Sequence, residues 1–257
     1  MELKGNTILI TGGTSGFGLE FAKRLIELGN TVIITGRDLQ KLEQTKKLLP
    51  AVHTFQSDVS KPEDIIMLQQ QVVKQFPSLN MLINNAGEMR KINLHDANID
   101  LTDITREIQI NLIGPIRMVQ QFLPHLKAQK SAAILNVTSG LAVVPFPISP
   151  VYGASKAGLR SYTQSLRVQL KNTPVKVFEL VAPAANTPLG DQFANEQGFD
   201  AKMLMEPTEL IAAAIKGMMN NKEEIYPGMA KMLYIMSRLA PGLILAQMGK
   251  VGQNNWK

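Results

Sequence analysis

The alternation of short apolar runs with amphipathic stretches constrains the fold of this chain more than any other feature of its sequence. Six runs predict β-strands, at residues 7–11, 31–35, 52–56, 81–84, 132–138 and 175–180. Apolar residues at helical spacing predict helices at residues 18–28, 38–49, 60–76, 104–129 and 152–171. Strands that are apolar on both faces and alternate with helices are typical of a parallel sheet covered on both sides. We therefore predict an α/β fold with a doubly wound parallel sheet, forming one domain over residues 1–257.

Two of the predicted helices begin with residues that suit a helix N-terminus. Asp38 precedes the second helix, and its carboxylate can accept hydrogen bonds from the unpaired N–H groups of a first turn. Ser60 takes the same place before the third helix, where Pro62 and Glu63 fit a first turn. We therefore expect Asp38 and Ser60 to be N-cap residues.

Composition excludes several classes of site and of partner. The chain has no cysteine, which excludes disulfides, thiolate zinc sites and thiol catalysis. His53, His95 and His125 lie in separate segments without the spacing of metal ligands, so we predict no metal site. The net charge of +6 is spread along the chain and does not indicate nucleic-acid binding. No apolar run reaches the ~18 residues of a membrane span, and the first residues do not resemble a signal peptide, so we expect a cytoplasmic protein.

A glycine-rich stretch, TGGTSGFG at residues 11–18, follows the first strand and opens the first helix. Small residues there let the backbone approach a pyrophosphate, and the helix N-terminus offers unpaired N–H groups and the positive end of its dipole. The alternative is a tight turn whose glycines serve packing alone. We predict a dinucleotide site, with contacts from Gly12, Thr14, Ser15, Gly16, Phe17 and Gly18.

The end of the second strand commonly distinguishes the two nicotinamide cofactors. Proteins that bind NAD tend to place a carboxylate there for the ribose hydroxyls. In this chain Gly36 aligns with that carboxylate, and Arg37 follows with a guanidinium that suits a 2′-phosphate. Two alternatives are that Arg37 is a solvated surface residue and that Asp38 is the ribose ligand. We predict NADP(H) in preference to NAD(H), with Arg37 as the phosphate ligand.

Six motifs occur in the order found in a known family. They are TGGTSGFG (11–18), SDV (57–59), NNAG (84–87), Asn111 within QINL (109–112), Ser139 within VTSG, and YGASK (152–156). In these motifs the chain resembles the short-chain dehydrogenase/reductase family, which has a Rossmann fold, over nearly its whole length. The resemblance implies that Asp58 and Val59 flank the adenine, and that Asn85, Ala86 and Gly87 lie beside the cofactor in a segment that stabilises the sheet edge.

One stretch departs from the family pattern. After the sixth strand, family members usually carry Pro-Gly, followed several residues later by a threonine that contacts the carboxamide. This chain has Ala182-Pro183 in place of Pro-Gly and keeps the threonine as Thr187. We expect Pro183 and Thr187 to contact the cofactor, with a backbone bend that differs from that of the family.

Tyr152 and Lys156 are spaced for joint chemistry. Residues four apart share one helix face, and the normal tyrosine pKa of about 10 makes a sluggish acid–base group at neutral pH. A lysine ammonium and a positively charged, oxidised nicotinamide nearby would favour the tyrosinate and lower that pKa. Ser139, at the end of the fifth strand, can donate to a substrate oxygen. The resemblance implies a catalytic set of Asn111, Ser139, Tyr152 and Lys156, in which Lys156 also binds the nicotinamide ribose and Asn111 supports a proton relay through water.

The apolar segment between Ser139 and Tyr152 is the candidate for substrate contact. Val144, Phe146 and Ile148 predict a substrate with a hydrophobic body beside its carbonyl. The alternative is that these side chains pack against a second subunit or a lid. Glu88 and Arg90, just after NNAG, are candidates for facing the substrate, although the polar loop at 88–103 also suits a solvated surface.

The C-terminal segment at about residues 228–250 is apolar and basic, and residues 225–257 contain no acidic residue. A lid or subunit-contact helix is one interpretation, and a peripheral membrane helix on anionic lipid is another. The stretch EEIYPGMAKMLYIMSRLAP also resembles the tail of the reductase-like proteins of D-alanylation operons in Gram-positive bacteria.

We therefore predict an NADP(H)-dependent oxidoreductase that interconverts a carbonyl and an alcohol on a small, apolar molecule. The alternative from another class is a non-catalytic NADP(H)-binding sensor or scaffold. A serine hydrolase is disfavoured because residues 12–16 do not supply a G-x-S-x-G elbow. The family resemblance implies a homodimer or homotetramer formed through the helices near 104–129 and 152–171.

Overall fold

The predicted strands join in one parallel sheet in the computed structural model, which describes residues 1–193, 196–199 and 204–253. Within these residues the strands are β1 (Thr7–Thr11), β2 (Thr31–Gly36), β3 (His53–Gln56), β4 (Leu79–Asn84), β5 (Ala132–Ser139), β6 (Val175–Ala182) and β7 (Glu224–Ile225). Their order is β3-β2-β1-β4-β5-β6-β7, and every neighbouring pair is parallel. The predicted fold class, a doubly wound parallel sheet, is confirmed.

Helices connect the strands and cover both faces of the sheet. The longer ones are α1 (Gly16–Glu27), α2 (Leu39–Leu48), α3 (Pro62–Gln75), α6 (Gly114–Lys127), α7 (Pro150–Gln169), α9 (Pro207–Met219), α10 (Met229–Leu239) and α11 (Pro241–Met248). Short helices are α4 (Leu101–Ile104), α5 (Arg106–Ile108) and α8 (Pro188–Asp191). A π-helical segment at Gln109–Ile113 joins α5 to α6, and a 3₁₀ turn at Gly140–Ala142 follows β5.

The core lies on both faces of the sheet. One cluster packs Phe21 and Leu25 of α1 and Leu210 of α9 against β1, β2 and β4. The other packs Leu68 of α3 and Phe122 of α6 against the opposite face. All eight residues of β5 are buried, among them the polar Asn136, Thr138 and Ser139, so its sequence does not alternate between apolar and exposed polar residues.

The strand order reverses between β1 and β4, because β2 lies on one side of β1 and β4 lies on the other. In open parallel sheets, ligands bind outside the carboxyl ends of the strands at such a point. Gly12, Asn85 and Ala86 follow β1 and β4 at this edge. The topology therefore predicts a ligand site at the same residues as the glycine-rich motif.

Two expectations about local structure were wrong, and one strand was not predicted. Lys61, not Ser60, is the N-cap residue of α3, because the amide and hydroxyl of Ser60 donate to the Asp58 carboxylate at 2.9 and 2.7 Å. The predicted helix at 104–129 is divided into α5, the π-helical segment and α6. β7 was not predicted, since it has two residues and pairs only with the edge of β6.

The C-terminal pair, defined here as α10 and α11, lies outside the sheet layers. Leu233 of α10 packs against Gly140, the residue after β5, where an added Cβ would lie 2.9 Å from Leu233 Cδ1. Much of the apolar surface of the pair is exposed, notably Leu239 and Leu243. Across the described ranges of the chain, no helix combines the length and the apolar character needed to cross a bilayer.

Candidate active site

The glycine turn after β1 is packed too closely for larger side chains at two positions. Gly12 has φ of +65°, and a Cβ there would lie 2.8 Å from the Cα of Ala86. A Cβ on Gly18 would lie 2.1 Å from the Gly12 carbonyl oxygen. Gly12 thus needs the left-handed region that favours glycine, and both positions need the absence of a side chain. Packing, which the sequence left open as the alternative, therefore accounts for part of this motif.

The N-terminus of α1 is the part of the turn that suits an anion. Ser15 is the N-cap residue, and its side chain makes no capping hydrogen bond. Gly16 has φ of +50°, and a Cβ there would meet the Thr187 side chain at 3.5 Å. The first N–H groups of α1 are thus without a side-chain cap, as a pyrophosphate site requires. The residues present therefore fit a dinucleotide at this turn.

The other predicted members of this turn lie around the same opening. A Cβ on Gly36 would lie 3.3 Å from Thr14 Cγ2, so Thr14 lies between the glycine turn and the end of β2. The side chain of Phe17 packs against the core, so Phe17 would meet a cofactor through its backbone. Pro183 is buried directly after β6, and Thr187 caps α8 by accepting from the Gly190 amide at 3.3 Å.

Arg37 and Asp38 differ in their surroundings at the end of β2. Asp38 accepts a hydrogen bond from the Lys41 amide at 3.1 Å, which confirms it as the N-cap of α2. The Arg37 side chain is 66% exposed, and its Nη1 lies 3.9 Å from Glu88 Oε2. An exposed pair at this distance contributes little, so the guanidinium can turn toward another anion. Asp38 is engaged by its own helix, whereas Arg37 is available.

Asp58 and Val59 lie beyond β3 at the same edge. The Ser57 amide donates to the Gly36 carbonyl at 3.1 Å, which joins the two strand ends. Val59 is buried against the core, and the Asp58 carboxylate holds the turn through its bonds to Ser60. These two residues therefore lie next to Arg37, at the end of the sheet where the family resemblance puts the adenine.

The segment after β4 is bonded directly to the glycine turn. Asn85 Nδ2 donates to the carbonyls of Thr11 and Gly12 at 3.0 and 3.1 Å, and the Ala86 amide donates to Thr11 Oγ1 at 3.0 Å. Asn84 is buried and donates to Asn136 of β5 at 2.8 Å. This segment, which ends at Gly87, therefore links β1, β4 and β5. It does so at the carboxyl ends of these strands, the part of the sheet called the ligand edge below.

Tyr152 and Lys156 lie on the buried face of α7, as their spacing predicts. Lys156 Nζ donates to the Val137 carbonyl at 2.9 Å and lies 5.8 Å from the centroid of the Tyr152 ring. Ser139 is the last residue of β5, and its side chain hydrogen bonds with Tyr152. The structure thus brings the three predicted catalytic side chains into one buried site.

Burial governs the pKa values of Tyr152 and Lys156 in this structure. Burial raises the pKa of Tyr152 to about 12, and the hydrogen bond with Ser139 offsets only part of this effect. Burial also lowers the pKa of Lys156 to about 8. Burial is the largest influence on the pKa of each of these side chains. The lowering of the tyrosine pKa that is expected from the ammonium together with a bound, oxidised nicotinamide stays a prediction.

Asn111, the fourth predicted catalytic residue, is completely buried in the π-helical segment. Its Nδ2 donates to the Glu88 carbonyl at 2.8 Å and to Ser155 Oγ at 3.0 Å, while its Oδ1 accepts from the Glu88 amide at 2.9 Å. A Cβ on Gly87 would lie 3.3 Å from Asn111 Oδ1 and 3.6 Å from Lys156 Nζ. Asn111 therefore lies beside Lys156 and also holds the chain after Gly87.

Apolar side chains form one wall of the site. Phe146 and Ile148, two of the predicted substrate residues, pack with Tyr152 in a buried cluster, whereas Val144 is buried outside it. The cluster also contains residues that the sequence did not indicate, namely Met89, Phe193 and Val251, with Leu141, Leu189, Phe199 and Met248 packed against it. These residues come from four distant segments, and each is an ordinary apolar residue in its own segment, so nothing in the sequence joined them.

Glu88 and Arg90 take part in ion pairs with neighbouring side chains. Glu88 pairs with Arg106 at 2.6 Å, and Arg90 pairs with Asp103 at 2.5 Å and with the completely buried Glu107 at 3.4 Å. The interpretation of residues 88 and 90 as a merely solvated surface was wrong, since both form a charged network. Glu107, the most buried member, was not singled out in the sequence.

The arrangement combines three chemical capacities. A turn of uncapped amides suits a pyrophosphate, a buried phenol with a hydroxyl partner suits proton transfer to an oxygen, and an apolar wall suits a hydrophobic substrate. These capacities meet at the carboxyl edge of β1, β4 and β5.

Known proteins are similar to this chain in sequence and in fold. The family model described as short chain dehydrogenase matches residues 6–198, more than half of the chain. The uncharacterized oxidoreductase DltE of Bacillus subtilis (strain 168) is 40% identical over 225 residues, which cover 88% of this chain and 89% of that protein.

Two solved structures show the same fold with different cofactors. A short chain dehydrogenase from Burkholderia cenocepacia in complex with NADP has a TM-score of 0.83, with 23% identity and coverage of 96% of this chain and 99% of the other. The 3-ketoacyl-(acyl-carrier-protein) reductase of Brucella melitensis complexed with NADH has a TM-score of 0.77, with 29% identity and coverage of 84% and 91%.

Proposed function

The chain belongs to the short-chain dehydrogenase family, and on this premise we propose that it is an NADP(H)-dependent oxidoreductase that interconverts a carbonyl group and an alcohol on a small apolar molecule. Its membership of this family of oxidoreductases follows from the comparisons, and the uncapped N-terminus of α1 after the glycine turn supports a site for a nicotinamide dinucleotide. The preference for NADP(H), the carbonyl–alcohol reaction and the apolar substrate are the proposed part. The observation that carries the proposal is the buried set of Ser139, Tyr152 and Lys156 beside the glycine turn.

The choice of NADP(H) rests on Arg37. Its guanidinium is mostly exposed at the end of β2, and the neighbouring Asp38 is occupied as a helix cap. A planar guanidinium can bind a phosphate with two parallel hydrogen bonds. A 2′-phosphate would therefore form an ion pair with Arg37, whereas a 2′-hydroxyl carries no charge for Arg37 to neutralise.

The proposed chemistry divides among a few side chains. When bound, the nicotinamide would supply or accept the hydride. Tyr152 would donate a proton to the substrate oxygen in reduction and accept one in oxidation. Ser139 would hydrogen bond to the same oxygen, and Lys156 would hold the ribose and favour the tyrosinate when it is needed. Asn111, beside Lys156, would support proton transfer to Lys156.

The proposed substrate class follows from the apolar wall. Phe146 and Ile148 pack beside Tyr152, with Met89 and Phe193 in the same cluster. A carbonyl with a hydrocarbon chain or ring would bury that apolar portion against this wall. The Brucella reductase, which is named for a 3-ketoacyl substrate, offers an example of such a molecule in the same fold.

Assembly and location are further parts of the proposal. We expect a homodimer or homotetramer formed through α6 and α7, and a cytoplasmic location. The proposal leaves the C-terminal pair outside the catalytic chemistry.

The proposed function is tested first by cofactor titration. NADPH and NADH are titrated against the protein by nicotinamide fluorescence, with Arg37→Ala and with Lys47→Ala, on α2, as a matched loss of one positive charge. We expect tighter binding of NADPH, with a loss of roughly tenfold in Arg37→Ala, equivalent to about 1.4 kcal/mol, and no change in Lys47→Ala. Equal affinities in all three proteins would exclude the proposed role of Arg37.

The second step is a screen of ketones and aldehydes of increasing apolar size with the preferred cofactor. We expect NADPH oxidation that depends on the carbonyl compound and a kcat/KM that rises with apolar size. Tight NADPH binding without turnover on any carbonyl compound would favour the sensor or scaffold instead.

A further inference from the structure

The C-terminal pair presents an apolar outer surface that the proposed reaction does not use. On α10 the exposed residues Met232, Ile235 and Leu239 recur at helical spacing and form one row along the helix. Leu243 and Leu245 of α11 are exposed as well. Leu239 and Leu243 lie on either side of the joint between the two helices, so the two surfaces are adjacent. These five residues are called the outer stripe, and contiguous exposed apolar surface of this kind marks a site of contact.

Contacts on the opposite face of α10 hold the outer stripe away from the body of the protein. Leu233 packs against the turn that follows β5. The centroid of the Tyr234 ring lies 4.9 Å from that of Tyr226 and 5.5 Å from the guanidinium carbon of Arg160. Arg160 is itself fixed by an ion pair with the buried Glu179 at 2.8 Å. Turning the stripe inward would break these contacts, so its exposure is part of the fold.

The charges around the outer stripe have one sign. Lys231 and Arg238 are exposed and seven residues apart, so they lie on the same side of α10, and each directly precedes a residue of the stripe. On α11, Lys250 and Leu243 line one groove. Residues 225–257 contain no acidic residue. The surface therefore combines apolar side chains with cations that no carboxylate of the same segment neutralises.

This combination favours a lipid surface over a protein partner. Protein interfaces usually centre on aromatic anchor residues, and the single aromatic residue of α10 and α11, Tyr234, is turned toward Arg160. A second copy of the same surface would bring cations against cations. Anionic headgroups would instead neutralise these cations, while fluid acyl chains accommodate the leucine, isoleucine and methionine side chains.

We propose that the outer stripe, together with Lys231, Arg238 and Lys250, binds the surface of a membrane that contains anionic lipid. The C-terminal pair lies in the plane of the interface, with its apolar side chains among the upper parts of the acyl chains. The ammonium and guanidinium groups lie at the level of the lipid phosphates. This inference goes beyond the proposed oxidoreductase function and does not depend on it.

The test is sedimentation of the purified protein with sucrose-loaded vesicles. The vesicles consist of phosphatidylcholine alone, or of phosphatidylcholine with phosphatidylglycerol as about one third of the lipid. No cofactor and no carbonyl compound is added. We expect binding to the anionic vesicles to be stronger than binding to the neutral ones by roughly tenfold or more. High salt should weaken it, because salt screens the basic side chains.

The apolar contribution is tested by a pair of acidic substitutions in the outer stripe. Leu239→Glu combined with Leu243→Glu is compared with Met67→Glu combined with Leu101→Glu, which puts the same two charges at exposed apolar residues of α3 and α4. We expect the stripe variant to lose sedimentation with the anionic vesicles and the control variant to keep most of it. Circular dichroism checks that each variant is folded.

The charged contribution is tested without adding any charge to the apolar surface. Lys231→Gln combined with Arg238→Gln should weaken binding to the anionic vesicles by roughly tenfold or more. Lys23→Gln combined with Lys47→Gln removes the same charge from exposed residues of α1 and α2 and should change binding little. This comparison carries the test if the acidic stripe variant folds poorly.

Four results would overturn the inference. The first is the absence of sedimentation with either kind of vesicle, and the second is equal binding to neutral and anionic vesicles. The third is an equal loss in a variant and its matched control, which would mean a general effect of net charge. The fourth is a lower mass of the stripe variant in sedimentation velocity without lipid, which would mean that a second copy covers the stripe. Because the assay contains neither cofactor nor carbonyl compound, its result is independent of the proposed function.

Discussion

The ligand edge of the sheet and the C-terminal pair differ in how many of their side chains are buried or hydrogen bonded. At the ligand edge, the Asn85 amide group and the Thr11 hydroxyl are bonded to neighbouring strands, and Lys156 is buried with a backbone partner. In the C-terminal pair, Leu239 is 77% exposed, and α11 presents Leu243 and Leu245 to solvent. Close packing makes the first region sensitive to single atoms, whereas the exposed residues of the second should tolerate substitution unless they contact another molecule.

The largest expected effect of this difference is on catalysis. Tyr152→Phe removes one hydroxyl from the ligand edge, and we expect turnover to fall by roughly 10²- to 10⁴-fold, the usual contribution of a general acid–base group. NADPH affinity should stay close to that of the wild type. Tyr162→Phe, on the same helix but half-buried in the core, is the matched control and should keep its activity. Comparable activity of Tyr152→Phe and the wild type would remove Tyr152 from the mechanism.

A second effect concerns stability against pH. The pKa of Lys156 is lowered to about 8 in the folded chain by burial, from an ordinary value of 10.5. Between these values the unfolded chain binds more protons, so the free energy of unfolding should rise with pH in this window. The rise amounts to about 3 kcal/mol for this group, measured as the difference between wild type and Lys156→Met in urea unfolding at several pH values.

The control for this measurement comes from the C-terminal pair. Lys231 is exposed on α10, so Lys231→Met should follow the wild-type curve across the same pH range. If Lys156→Met shows the same rise as the wild type, burial of the ammonium is not its cause.

Two glycine-to-alanine substitutions compare how well each region accommodates one added methyl group. Gly18→Ala would bring a Cβ to 2.1 Å from the Gly12 carbonyl oxygen, whereas a Cβ on Gly242 of α11 has nothing within 4 Å. We expect Gly18→Ala to lose about 1–3 kcal/mol of stability and to bind NADPH more weakly. Gly242→Ala should be neutral or stabilising by up to about 1 kcal/mol, since alanine favours a helix. Equal unfolding free energies for the two variants would contradict the packing difference.

The smallest expected effect on stability is at exposed apolar residues, and it separates two possible contact surfaces. Val168 on α7 and Leu239 on α10 are 75% and 77% exposed, respectively. If the chain associates through α6 and α7, Val168→Glu should lower the sedimenting mass, and Leu239→Glu should leave it unchanged. Both variants should unfold within roughly 0.5 kcal/mol of the wild type if each monomer is unaffected. The reverse pattern in sedimentation velocity would assign the contact to the C-terminal pair.

The sequence predicted the sheet well because most of its strands are buried on both faces. The mostly apolar sequence of β5 favours the interior, and all eight of its residues are buried. Asp38 was predicted correctly as a cap, since a carboxylate directly before a helical pattern has few competing partners. Ser60 was not, because Asp58 two residues earlier accepts its hydroxyl.

Other features depend on contacts that no local pattern contains. β7 has two residues and is held by pairing with β6 and by the ion pair of Glu224 with Arg160 of α7, at 3.2 Å. The π-helical segment at 109–113 has the apolar spacing of an ordinary helix, so the sequence did not distinguish it. Glu107 is one acidic residue among several in a polar stretch until the fold buries it beside α7.

Some residues of the candidate site could likewise be predicted from the sequence, and others could not. Gly12 was predicted from the glycine-rich turn, and Ser139, Tyr152 and Lys156 were predicted from the family resemblance, with which their chemistry and spacing agree. The apolar wall was predicted only in part, since Phe193 and Val251 are far along the chain from Phe146. Apolar residues are common enough that a wall assembled from distant segments leaves no signature in any one of them.

The contact of Met248 and Val251 with the cluster around Tyr152 has a consequence for synthesis of the chain on the ribosome. The seven strands are translated before these two residues, so the sheet and its glycine turn can assemble while part of the apolar wall is still absent. A nascent chain would then have its glycine turn before it has the complete cluster around Tyr152, which can close only when residues 248–251 have left the ribosome.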